Sequence, residues 1–281
     1  MLVASSETRV GAAGVKSTLV LERAVRATIV LRDQLAFDTK FAAAASGKPE
    51  PVAHLFLLVA GRFVIDGQVR DAPCVHVLAD EEIERPRAGV KTFRTDGERV
   101  EVVQLRFARD AVRVPIGLAQ TGRLAMPKLY LDAAREVIAD PSALPRLLTL
   151  LADGNVIAPV EVTREEPERF RRLWDALQPL YATYGGSASI KQIASTLDMS
   201  IRQVGRDAKD LAKTFGFTGG YRDWLLVLRL RTAVLLLSAP GATVADVARL
   251  AGYGSAIAMA RAFRDADLPA PSAVQDAMRP E

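Results

Sequence analysis

The chain has 281 residues, enough for two domains of ordinary size, and its 49% apolar and 25% charged content excludes a disordered or fibrous protein. Its 37 Lys/Arg against 33 Asp/Glu leave a formal charge of +4, three units of which fall in residues 186–281. A single cysteine, Cys74, excludes an internal disulfide framework and suits a reducing cytoplasm.

The N-terminal MLVASSETRVGAAGVK lacks the apolar core of a signal peptide. The first third has strand character, and a β-barrel or sandwich is expected over about 50–110. HLFLLVAGRFVIDGQVR carries two apolar runs, and Asp66-Gly67 marks a tight hairpin. KTFRTDGERVEVVQLRF repeats the pattern around Asp96-Gly97, and KPEPV ahead of both reads as loop. Val103, Leu105 and Phe107 alternate with Gln104 and Arg106, which predicts one buried and one wet face. Phe56, Phe63, Val64 and Val103 are expected inside, as ordinary core or as the lining of a ligand cavity.

CVHVLADEEIERPRAG carries candidate metal-ligand types. Cys74, His76, Glu81 and Glu82 are competent ligand types. With His54 the only other histidine, the better reading is a small buried cysteine and a histidine at a surface tip. No nucleophile elbow and no phosphate-binding Gly-rich loop is present, so no catalytic residue, metal site or cofactor is expected.

Residues 131–154 read as helices, through AREVI and SALPRLLTLLADG. Their leucine face would cover the barrel or pair two protomers. Another helix starts near Pro167, and helical periodicity then continues to the end, which places a boundary near Val162. WLLVLRLRTAVLLL is too short to span a bilayer and is broken by Arg229 and Arg231, so it reads as a buried connecting helix.

In SIRQVGRDAKDLAKTFG, Arg202, Arg206, Lys209 and Lys213 fall within roughly 60° of one another on a helix. Ile201, Val204, Ala208, Leu211 and Phe215 fall on the far side, Asp207 and Asp210 beside the stripe, with Ser200 as N-cap and Gly216 as stop. A short apolar helix precedes it: Ile190, Ile193, Ala194 and Leu197 are spaced i, i+3, i+4, i+7. Val244, Val247, Ala248 and Ala251 repeat that spacing 54 residues later. After the turn the offset becomes 55, so that Ser200 matches Ser255, Val204 Met259, Arg206 Arg261, Ala208 Phe263 and Lys209 Arg264. This is a helix-turn-helix, twice, and the second helix of such a unit can enter a major groove. A solvated polar face would explain one cationic stripe; the repeat favours nucleic acid.

These residues resemble the DNA-binding domain of the AraC/XylS family of bacterial transcription regulators over about 165–281. IASTLDMS resembles the first unit, LRLRTAVLLL the connecting helix with Arg229, Ala233 and Leu236 in place, and VADVARLAGYGS with RAFRDADLPAPS the C-terminal signature, with Gly252, Tyr253, Phe263 and Pro271 at the expected spacings. Leu268 stands where the family usually has Gly, and Met259 where it has an aromatic. The resemblance implies an α+β, two-domain chain. Residues 1–162 would form a cupin-like β-barrel with flanking helices that senses a small molecule or dimerises. Residues 163–281 would form an all-α domain with two helix-turn-helix units joined by a long helix. It further implies a cytoplasmic homodimer, with double-stranded promoter DNA, a small-molecule effector and RNA polymerase as partners, and no membrane.

By the family match, Arg202, Gly205 and Arg206 face the groove, and Gln203 could pair with adenine. Lys209 and Lys213 would touch phosphate. Gly205 either permits close backbone approach or merely weakens its helix, by about 1 kcal/mol. The second unit reads SAIAMARAF, leaving Ser255, Arg261 and Arg264 as its strong hydrogen-bonding side chains. The first unit is therefore expected to read bases and the second to hold phosphates. Two rival readings stand: a cupin-type metal enzyme with a helical protein-interaction tail, and a regulator whose second unit binds polymerase or another partner.

Overall fold

In a computed structural model of the chain, residues 1–23, 25–38, 41, 52–65, 67–79, 93–95, 97–117, 120–161, 165–182, 189–217 and 221–278 are described. The sheet starts far earlier than the sequence suggests. Strands β1 (Leu2–Val10), β2 (Ala13–Leu21) and β3 (Arg26–Asp33) occupy the first 33 residues. Leu2, Ala4, Ser6 and Thr8 alternate inward along β1, so its buried face is small and half hydroxylic, and it lacks an apolar signal. After them come β4 (Phe37–Asp38), β5 (Val52–Ala60), β6 (Arg62–Ile65), β7 (Gln68–Asp71), β8 (Cys74–Ala79), β9 (Phe93–Thr95) and β10 (Val100–Ala108).

These strands form two antiparallel sheets, ordered β1-β2-β3-β10-β5-β8 and β4-β9-β6-β7. The fold is α+β, but the expected barrel is not closed among the described residues: each sheet keeps two edges, and the two stack as layers. Gly67, at φ 72°, turns β6 into β7; Asp66 lies outside the described residues. Asp96-Gly97 does not close a hairpin. β9 pairs with β4 and β6, whereas β10 lies between β3 and β5 in the other sheet.

One face of the six-stranded sheet, with Leu55, Leu57, Val75, Val77, Val103, Leu105 and Phe107, is covered by α1 (Pro127–Ala139) and α2 (Leu144–Asp153). Burying each such side chain is worth about 1.5–3 kcal/mol. The leucine face of these helices therefore covers the sheet. The other face packs Phe56, Leu58, Cys74, Leu78, Val100 and Val102 against Phe63 and Ile65 of the second sheet. Phe56 and Phe63 meet edge to face with centroids 6.2 Å apart. Val103 points the opposite way, and Val64 is half-buried. Gln104 and Arg106, expected in water, are half-buried: Gln104 Nε2 lies 2.8 Å from His54 Nδ1, and the Arg106 guanidinium lies beside Gly216.

The helical part comprises α3 (Glu168–Ala182), α4 (Ile190–Leu197), α5 (Ile201–Thr214), α6 (Tyr221–Leu237), α7 (Val244–Leu250), α8 (Ala256–Asp265) and α9 (Pro271–Met278). No described helix is long and apolar enough to cross a membrane. The strands and the helical part share apolar clusters. Phe170, Leu173, Trp174, Val204, Leu211 and Phe215 share one cluster with Leu2, Ala4, Leu19 and Leu21 of β1 and β2. Leu230, Val234, Met259 and Phe263 share another with Val15, Leu35, Ala36 and Phe41. Polar ties cross the same seam. Trp174 Nε1 donates to the Val3 carbonyl at 2.9 Å, the Ala36 amide to Ser238 Oγ at 2.9 Å, and Arg23 pairs with buried Glu166 at 3.2 Å. Residue 162, where the boundary is expected, lies outside the described residues.

Candidate nucleic-acid interface

The two units are built alike at their caps. Ser189 forms a capping box with Gln192 at the head of α4, and Thr243 accepts from the Asp246 amide at the head of α7. Ser200 Oγ accepts from the Gln203 amide at 3.1 Å, and Ser255 Oγ from the Ala258 amide at 3.1 Å. Each second helix thus starts on a satisfied serine, whose oxygen is committed to the cap. The turns also agree. Asp198 and Gly252, 54 residues apart, both adopt the left-handed conformation, at φ 52° and 77°.

On α5, Val204, Leu211 and Phe215 are buried, while Arg202, Arg206, Lys209 and Lys213 are exposed. None of the four cations forms an ion pair among the described residues. Ile201, expected on the buried side, is 50% exposed, because the first helical position sits at the rim of that face. The nearby acids are answered from elsewhere: Arg169 of α3 lies 3.7 Å from Asp207 and 3.3 Å from Asp210. Asp207 is buried and also accepts from Gln203 Nε2 at 3.0 Å. Gln203 Oε1 accepts from Arg206 Nη2 at 2.9 Å. Both ends of the Gln203 amide are thus engaged, one by Asp207 and one by Arg206. Gly205 faces the first helix: a Cβ there would lie 3.8 Å from Ile190 Cδ1, ordinary contact.

On α8, Met259 and Phe263 are buried while Arg261 and Arg264 are exposed. Arg264 lies 3.8 Å from exposed Asp265, a contact worth little in water. The position matching Arg202 is taken by Ile257, which is 76% exposed. Sequence reasoning passed over Ile257 because an apolar residue in a helix reads as core. Its angle, about 160° from Met259, was the available signal.

The other candidate cluster folds differently from expectation. His76 is no surface tip. It is fully buried on β8, with Cys74 Sγ 3.2 Å from its Nε2. Burial pushes the Cys74 thiol up to about 12, and burial with the Arg70 charge pushes His76 down to about 4. His54 Nδ1 lies 2.8 Å from Gln104 Nε2. A neutral thiol beside a neutral imidazole is core chemistry. No group of three or more His, Cys, Asp or Glu able to hold a metal occurs among the described residues, and Glu81 and Glu82 lie outside them.

No protein-family model and no curated protein matches this chain. Among solved structures, ToxT from Vibrio cholerae bound to an unsaturated fatty acid aligns over 91% of this chain and 96% of its own, at 10% identity and a TM-score of 0.37. The AraC-like transcriptional activator CuxR aligns over 86% of each chain at 14% identity, with a TM-score of 0.34. A DNA-binding transcriptional dual regulator from Escherichia coli K-12 aligns over 41% of this chain and 96% of its own, at 20% identity and a TM-score of 0.31. At these scores the alignments assign no role to any residue.

Proposed function

We propose that this chain is a sequence-specific DNA-binding transcription regulator of the AraC/XylS type. One observation carries the reading: two helix-turn-helix units with matched serine caps and matched left-handed turns present outward cations at equivalent positions. A solvated face needs no such repetition. Residues 1–162 act as the sensing or dimerising part and 163–281 as the DNA-binding part, in a homodimer that meets promoter DNA and RNA polymerase under control of a small effector.

In the first unit Arg206, steadied by Gln203, and Arg202 reach base edges, where an Arg–guanine pair is worth about 1–3 kcal/mol of discrimination. Lys209 and Lys213 hold phosphates. In the second unit Arg261 and Arg264 hold phosphates, and Ile257 meets a thymine methyl group. Selection of random duplexes on the full-length protein should recover a motif with two elements about 10 base pairs apart. Arg206→Ala should relax base preference, while Arg264→Ala should weaken binding to all sequences alike. Equal loss of base preference from both substitutions overturns the division of labour. Recovery of no motif, with or without cell extract metabolites, overturns the regulator reading.

A further inference from the structure

The outward face of α8 is chemically unlike that of α5. Ile257 is 76% exposed, more than any other large apolar side chain among the described residues. A lone apolar residue on a surface needs no explanation, but this one has a definite place. At about 100° and about 1.5 Å per residue, Arg261 lies about 40° round the helix from Ile257 and Arg264 about 20°, roughly 6 and 10 Å further along. One apolar side chain thus heads a line of two exposed cations, while Met259 and Phe263 hold the opposite side to the core. The cations call for a polyanion, and the apolar head calls for an apolar spot on it.

The first turn of α8 has no side chain to spare for a hydrogen bond. Ser255 Oγ is engaged by the Ala258 amide at 3.1 Å. Ala258 and Ala260, both exposed, stand where α5 has Gln203 and Gly205, and Ile257 where α5 has Arg202. Between the cap and Arg261, only carbon faces outward. Base edges in the major groove are donors and acceptors with one apolar group among them, the C5 methyl of thymine. 5-Methylcytosine carries the same methyl group at the same ring position.

We propose that α8, through Ile257, recognises the C5 methyl group itself, so that cytosine methylation at one position of the bound duplex strengthens binding. A pyrimidine bearing the methyl, thymine or 5-methylcytosine, is preferred to its bare counterpart, uracil or cytosine. Arg261 and Arg264, further along the same face, keep the helix on the backbone while its head meets the base. The second unit thereby adds sequence information without a base-directed hydrogen bond, and it adds sensitivity to a modification that leaves base pairing unchanged. This rests on the regulator reading above.

The test is the affinity of the full-length protein for the duplex recovered by selection, with each thymine replaced in turn by deoxyuridine. That change removes one methyl group and nothing else. At one position it should weaken binding about fourfold, the worth of burying one such group. A C·G pair placed there should bind more tightly by about the same factor once its cytosine is methylated at C5. Ile257→Ala, at an exposed position, should keep the wild-type unfolding midpoint and bind the thymine and deoxyuridine duplexes equally. Ile257→Val should keep a reduced preference, and Arg206→Ala, in the first unit, should keep the whole methyl effect. The proposal is overturned if every deoxyuridine duplex binds as tightly as its parent, or if the methyl effect survives in Ile257→Ala. Equal binding of every duplex by the wild type and Ile257→Ala also overturns it, and gives Ile257 to a protein partner. Failure to select any motif overturns the regulator reading and this proposal together, whereas a motif blind to the methyl group overturns this proposal alone, so the two failures are distinguishable.

Discussion

His76 meets a thiol and the Phe63 ring where an imidazolium would need a carboxylate, and that sets an acid limit on the sheet. Its pKa is held down to about 4, against about 6.5 for an unfolded histidine. Between those values the unfolded chain takes up a proton that the native state refuses. The stabilisation is therefore complete above about pH 6.5 and is lost as pH falls toward 4, by about 2 kcal/mol between pH 7.5 and 5.0. Urea unfolding at those two pH values should show the loss in the wild type, and His76→Phe should show a slope smaller by that amount. An unchanged slope would mean that the ring is solvated. His76 could not be placed from sequence. Period-two alternation is read from apolar residues, so a polar side chain between them reads as wet. Gln104 and Arg106 misled in the same way, since His54 and Gly216 lie against them.

At the scale of elements, the paired left-handed turns can be weighed against each other. Gly252 adopts its φ of 77° without strain, while any L side chain there costs about 1–2 kcal/mol. Gly252→Ala should lower the urea midpoint accordingly. Asp198 already tolerates φ 52°, so Asp198→Gly should stay within about 0.5 kcal/mol, strain relief offsetting the greater freedom of the unfolded glycine. If both substitutions cost the same, the turns are not equivalent. The helices of the two units were legible because two independent signals agreed: apolar residues at helical spacing, and the Ser200 cap with its match Ser255; the caps at Ser189 and Thr243 show only in the structure. The strands were less so. Ser6 and Thr8 hid the alternation of β1, and Asp96-Gly97 announced a turn without saying which strands it joins. The short β9 turns away to the other sheet.

At the scale of the whole molecule, each helix-turn-helix unit buries part of its apolar surface against the first 41 residues. Residues 165–281 made alone should therefore expose Leu173, Trp174, Leu230 and Val234, bind a hydrophobic dye and elute as aggregates in gel filtration. A dispersed, dye-silent fragment would show that the helical part completes its own core. Sequence periodicity showed helices from about residue 131 onward and suggested a boundary near Val162, which lies outside the described residues. It carried no information about the seam, because contacts between residues 171 and 202 positions apart leave no local pattern.

That seam has a consequence for how the chain is made. β1 is translated well before its partners: the indole that meets its Val3 carbonyl follows 171 residues later, and the Ser238 hydroxyl that receives the Ala36 amide 202 residues after that amide. At the usual pace of synthesis this is a wait on the order of 10–30 s. Throughout it, a small, partly hydroxylic strand stands at the open edge of a nascent sheet. The weak hydrophobicity that hid β1 from sequence reading is what lets it wait: Ser6 and Thr8 make it a poor template for pairing with another nascent chain.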